Sequence, residues 1–137
     1  VSFDFNTYQQ QFPVVETGGL TYRPPMPRIV CADGFSLSVQ AGAMAYSTPR
    51  QDGLLQYDAV EVGFPSARVP ELLAYAEDLE EPTQTIYPYV PVDLVNAIIL
   101  SHGGVTQTAA AAREALHRLL YLHTTDTFTP HELLPLE

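Results

Sequence analysis

Apolar positions divide the chain into a sheet-forming stretch and a helix-forming stretch. Phe35, Leu37, Val39 and Ala41 alternate with Ser36, Ser38 and Gln40, the period of a half-buried strand. Val60, Val62 and Phe64 alternate with Glu61 and Gly63 over 56–64, which predicts another strand, ended by Pro65. A short apolar run at 28–32 precedes Asp33-Gly34, a pair suited to a two-residue hairpin turn whose central positions both need positive φ. Ile86, Tyr87, Tyr89 and Val90 predict a fourth strand over 83–90, which Pro88 confines to an edge or a bulge.

Between and after these strands the spacing becomes helical. Pro70 suits a first helical position, and Leu72, Leu73, Tyr75, Ala76 and Leu79 form one apolar stripe over 70–81 before Pro82. A second helix is predicted over about 91–102, with Leu94, Val95, Ile98 and Ile99 inward and Gly103-Gly104 as its stop. A third is predicted over about 107–123, with Ala109, Ala112, Leu116, Leu119 and Leu120 on one face and Glu114 to Arg118 in the favourable i,i+4 order.

Residues 1–27 fit neither period. Phe3, Phe5, Tyr8, Phe12 and Tyr22 are scattered among Gln9-Gln10-Gln11, Gly18-Gly19 and Pro24-Pro25-Met26-Pro27. The prolines favour extended backbone, which predicts an extended arm that wraps its own domain or docks on a neighbouring subunit. The organisation expected is therefore an arm at 1–27, one domain at 28–123 and a proline-punctuated tail at 124–137. The fold class expected is α+β: an antiparallel sheet of about four strands with three helices packed on one face.

Charge sharpens this picture. From Asp52 to Asp93 there are nine acids (Asp52, Asp58, Glu61, Glu71, Glu77, Asp78, Glu80, Glu81, Asp93) against one base, Arg68, in a chain of net charge −10. All six basic residues are arginine. With no basic patch to neutralise phosphates, direct binding of nucleic acid is not expected. No apolar run approaches the roughly 18 residues that cross a bilayer, so no membrane partner is expected. The amino-terminus shows no basic segment followed by an apolar stretch, and the single Cys31 cannot form an internal disulfide, so a reducing compartment is expected.

Candidate chemistry is sparse. Cys31 sits in an apolar strand and reads as a core residue. His102, His117, His123 and His131 follow no metal-ligand spacing, and His102 and His123 fall roughly 20 Å apart if the last two helices run antiparallel. Gly103-Gly104-Val105-Thr106 lacks the further glycines and the lysine of a phosphate loop. No catalytic residue, metal or cofactor is expected. An enzyme would need a pocket gathering groups such as Cys31, His102, Tyr87 and Tyr89. The most informative local feature is the acidic set Glu71, Glu77, Asp78, Glu80 and Glu81. On a helix over 70–81 the last four would crowd the C-terminal turn, where the macrodipole is already negative. A local rule broken without compensation marks a place where function is expected.

Three stretches, VCADGFSLSVQAGAMAYSTPR (30–50), VEVGFPS (60–66) and TIYPYVPVDLVNAIILSHGG (85–104), resemble a group of small proteins carried by bacteriophages and prophages. The resemblance spans about 28–104. It implies a phage setting and carries no catalytic residue. The function expected is an acidic accessory protein of the anti-defence or inhibitor type. It would bind a basic surface of a host or phage protein through Glu71, Glu77, Asp78, Glu80 and Glu81, in the host cytoplasm. The alternative is a virion or assembly component, a homo-oligomer joined through Phe3, Phe5, Tyr8, Phe12 and Tyr22 of the arm.

Overall fold

Antiparallel pairing builds a four-stranded sheet in the order β3-β4-β5-β6, from Ile29–Val30 (β3), Ser36–Gln40 (β4), Ala59–Gly63 (β5) and Ile86–Pro91 (β6). The computed structural model describes residues 2–106. Ahead of the sheet lie a short helix, Phe5–Gln9 (α1), and a two-stranded hairpin, Val15–Thr17 (β1) with Leu20–Tyr22 (β2). A 3-10 helix, Pro70–Tyr75, joins β5 to β6, and Val92–Ser101 (α2) follows β6 without an intervening residue. The predicted helix over 107–123 and the tail at 124–137 lie outside the described residues. The α+β class and the antiparallel sheet are as expected.

The alternation of β4 and β5 decides which face is buried. Leu37, Val39, Val60 and Val62 point inward with Tyr87 and Val90 of β6, while Ser36, Ser38, Gln40 and Glu61 remain partly exposed. The helices complete the same core with Phe5 from α1, Leu72 from the 3-10 helix, and Val95, Ile98 and Ile99 from α2. Each such side chain contributes about 1.5–3 kcal/mol on leaving water.

Pro88 has the effect expected of it. Val60 faces Val90 and Val62 faces Tyr87, so Glu61 stands opposite both Pro88 and Tyr89, a bulge on the edge strand. The outer edge of β6 is partly closed, because Ile86 accepts the Glu77 N–H at 3.1 Å. On the opposite edge Val105 bridges Cys31, and the Thr106 N–H bonds the Val30 carbonyl at 3.0 Å.

Three expectations are corrected. First, 2–27 packs on its own domain, one of the two placements expected, but it is not extended throughout. Asp4 caps α1 by accepting the Thr7 N–H, and the spacing of Phe5, Tyr8 and Phe12 places all three on the buried side. Tyr8 and Phe12 stand 5.3 Å apart, Phe3 and Tyr8 5.6 Å. Neighbouring elements fix this segment. Asn96 Oδ1 accepts the Phe5 N–H at 2.8 Å, and the Asn6 side chain bonds both the N–H and the carbonyl of Tyr57. Second, the Asp33-Gly34 turn is not a two-residue turn. Cys31 accepts the Gly34 N–H and donates to Phe35, and only Gly34 has positive φ, the pattern of a three-residue loop with a glycine bulge. The two-residue turn occurs instead at Gly18-Gly19, where both residues have positive φ between β1 and β2. Third, the helix over 70–81 stops at Tyr75. Ala76 is extended, and the chain turns along the outer edge of β6, where Glu77 bonds Ile86.

Candidate functional site

The five acids singled out from the sequence do not share a helix. Glu71 lies on the 3-10 helix, while Glu77, Asp78, Glu80 and Glu81 occupy the turn that follows it. The crowding expected at the end of a helix over 70–81 is therefore absent, and so is the clash with a helix dipole. The physical reason is local. Asp78 gives the turn its own acceptors, its carboxylate taking the Glu80 N–H at 3.0 Å and its carbonyl the Glu81 N–H.

The turn is nonetheless well braced. Glu77 N–H reaches the Ile86 carbonyl, Asp78 N–H reaches Thr85 Oγ1 at 3.1 Å, and the buried Tyr87 hydroxyl donates to the Pro82 carbonyl. All five acidic residues are exposed, and among the described residues none has an ion-pair partner. Leu79, 64% exposed, stands in their midst. Carboxylates without ion-pair partners, carried with one exposed apolar side chain on a backbone held in place, suit a protein partner with basic and apolar groups.

The aromatic residues assigned to an assembly arm separate. Phe5, Tyr8 and Phe12 are buried in this chain's own core and Phe3 packs against it, so they cannot at the same time cover a neighbour. Tyr22 belongs to the β1–β2 hairpin, whose six strand residues are all exposed.

Cys31, His102, Tyr87 and Tyr89 do not converge. Cys31 is buried, which pushes its thiol pKa up and away from nucleophilic use. His102 Nδ1 pairs with Asp33 Oδ2 at 2.6 Å and its ring stacks on Phe35. The Asp33 carboxyl is held below its ordinary range, chiefly by the hydrogen bond from His102. Tyr89 turns outward at positive φ to lie 5.9 Å from Tyr46, whose ring carries Arg50 at 4.9 Å.

A cleft of about 500 Å³ was not visible in the sequence. Tyr22, Pro24, Pro25 and Met44 form its walls, Ser38 and Gln40 part of its floor, and Arg23, Asp52 and Glu61 its charged groups. Asp52 Oδ1 accepts the Ala43 N–H at 2.8 Å and Glu61 Oε1 the Tyr46 N–H at 3.0 Å. Gly42 is required here, because a Cβ on it would stand 2.4 Å from Asp52 Oδ1. The sequence signal for this site was the Pro24-Pro25 pair, which reads as extended backbone and not as part of a cleft. A smaller cavity of about 250 Å³ is lined in part by Asp4, Asp58 and Asp93, with the Asp4 carboxylate accepting from Thr7 and Asn96.

Among the described residues no group of three or more His, Cys, Asp or Glu is arranged to hold a metal ion, and no helix is long and apolar enough to cross a membrane. Compared with models of protein families, with curated proteins and with solved structures, the chain matches none.

Proposed function

We propose that this protein binds another protein, and that the braced acidic turn from Glu77 to Glu81, together with Glu71, meets a basic surface on it. The observation that carries this reading is the exposed turn of Glu77, Asp78, Glu80 and Glu81 around the exposed Leu79, whose carboxylates have no ion-pair partner among the described residues and whose backbone is held by hydrogen bonds to Ile86 and Thr85. A turn whose backbone is already held loses little backbone freedom on binding, and like charge on one patch speeds encounter and sets register. The resemblance over 28–104 implies a phage setting, and in that setting an acidic protein-binding surface fits an inhibitor or anti-defence role in the host cytoplasm. The test compares the full chain with the variant Glu77→Gln, Asp78→Asn, Glu80→Gln, Glu81→Gln as bait for a host lysate at low and high salt. The expected result is capture of a protein with a basic surface that the variant loses and that salt weakens. Capture by the variant at undiminished level, with the same salt dependence, overturns the reading.

A second reading, assembly with neighbouring subunits, is favoured by one feature. The hairpin exposes Val15, Leu20 and Tyr22 on one face, and a lone two-stranded hairpin is marginal in water. Replacing residues 15–22 with a Gly-Ser linker should lower the mass seen by light scattering under this reading. An unchanged mass removes it.

A further inference from the structure

Among the described residues two that are not glycine adopt positive φ, Phe64 at +49° and Tyr89 at +55°, and both are exposed aromatics. Left-handed backbone is costly for a residue with a Cβ, and such outliers gather where function requires them. Tyr89 is accounted for within the chain. It lies in the β6 bulge, its N–H bonds the Tyr46 carbonyl at 3.2 Å, and its ring stands 5.9 Å from that of Tyr46. Phe64 has no such account. Val60 and Val62 point inward, so the alternation of β5 would carry Phe64 into the core. The left-handed backbone breaks that alternation, and the ring is left 46% exposed. No other aromatic ring of the described residues pairs with it. Its backbone is held on both sides, the N–H by the Thr85 carbonyl at 3.0 Å and the carbonyl by the Arg28 guanidinium. Thr85 also ties Phe64 to the acidic turn, because its Oγ1 accepts the Asp78 N–H at 3.1 Å. Phe64 and Asp78 therefore flank β6, two strand spacings or about 10 Å apart. An ordinary protein interface, about 800 Å² a side, spans that distance.

We infer that Phe64 is the apolar anchor of the partner surface, and that the partner is a protein with an apolar pocket whose rim carries basic groups. The ring would enter the pocket while Glu77, Asp78, Glu80 and Glu81 meet the rim. This rests on the reading of the acidic turn as a protein-binding surface. Aromatic side chains seated in pockets carry much of the energy of an interface, whereas charges at its rim set encounter rate and register. A ring displayed by a backbone already held in place needs little ordering on binding, which gives the strained conformation a use.

The test uses Phe64→Gly in the full chain, since glycine takes positive φ without penalty. The variant should melt no lower than the parent. A clear fall in Tm would mean that the ring packs for the sake of the fold, and it overturns the inference. The protein that the parent chain captures in the bait experiment is then purified. It is titrated by calorimetry against the parent, Phe64→Gly and the four-acid variant, at low and high sodium chloride. Phe64→Gly should bind about tenfold or more weakly at both salt concentrations, because apolar burial is not screened. The deficit of the four-acid variant should shrink as salt rises. A smaller loss in Phe64→Gly, with the four-acid variant still deficient, overturns this inference and leaves the acidic turn standing. Full affinity in the four-acid variant, or capture of nothing by the parent, fails the acidic turn, and the inference falls with it.

Discussion

His102 Nδ1 lies 2.6 Å from Asp33 Oδ2, and the same imidazole stacks on Phe35 with ring centres 4.0 Å apart. One side chain thus fastens the exit of α2 to the β3–β4 turn, while the His102 carbonyl accepts the Asp33 N–H. Asp33 has its pKa lowered from 3.8, first by His102 and then by the Phe35 N–H. A lowered carboxyl pKa contributes stability that is complete above the unfolded value and lost as pH falls through the folded one. Chemical denaturation at graded pH should therefore show a loss of stability below about pH 4 that Asp33→Asn removes in part. An identical acid limb in the variant refutes the link.

Tyr8 predicts the opposite limb. Burial pushes its hydroxyl up to about 12, and that hydroxyl has no hydrogen-bond partner. A raised tyrosine pKa leaves stability complete below the unfolded value near 10, and stability falls as pH rises toward 12. Tyr8→Phe should flatten this alkaline loss. It should also stabilise the protein at neutral pH by about 1 kcal/mol, since a buried unsatisfied hydroxyl is removed at constant shape. A urea midpoint that falls in Tyr8→Phe contradicts this.

Phe5 tests whether the amino-terminal segment belongs to the core. It is fully buried beside Tyr8 and packs in the cluster that includes Val95 and Ile99. Phe5→Ala should cost about 3–5 kcal/mol in urea unfolding. A cost below about 1 kcal/mol, the scale of an exposed site, would show the segment to be dispensable.

Gly42 ties the cleft to the fold. Its φ of +141° and the 2.4 Å approach of Asp52 Oδ1 to a Cβ leave no room for a side chain. Gly42→Ala should destabilise by about 1–3 kcal/mol, and Asp52→Ala made alongside it should recover part of that loss. Strict additivity of the two changes would rule out the contact.

The sheet was legible because β4 and β5 alternate over five residues each, and one buried face needs nothing more. Helix α2 was legible for the same reason, its stripe of Val95, Ile98 and Ile99 running into Gly103-Gly104. The amino-terminal segment was misread because the prolines and glycines of 13–27 drew attention from the i,i+3,i+7 spacing of Phe5, Tyr8 and Phe12 behind the Asp4 cap. The acidic turn was misread because Pro70 and Leu72 start a helix that Asp78 and the pull of the β6 edge cut short. The acids themselves were found, yet their geometry depends on Thr85, Ile86 and Tyr87, and no local pattern reports those contacts. The Arg23 cleft is assembled from residues 22 to 61, so only the folded chain brings its charges together.

The hydrogen bond from Phe5 N–H to Asn96 Oδ1 spans 91 positions of the chain. During synthesis, α1 therefore emerges long before its anchor exists. Until α2 is made, Phe5, Tyr8 and Phe12 form an uncovered aromatic face on a nascent chain. Contacts so distant in sequence form late, and apolar surface left waiting invites aggregation. Yield in the cell should then depend on chaperone supply more than the final stability would suggest, and slowing translation across 13–90 should aggravate that dependence.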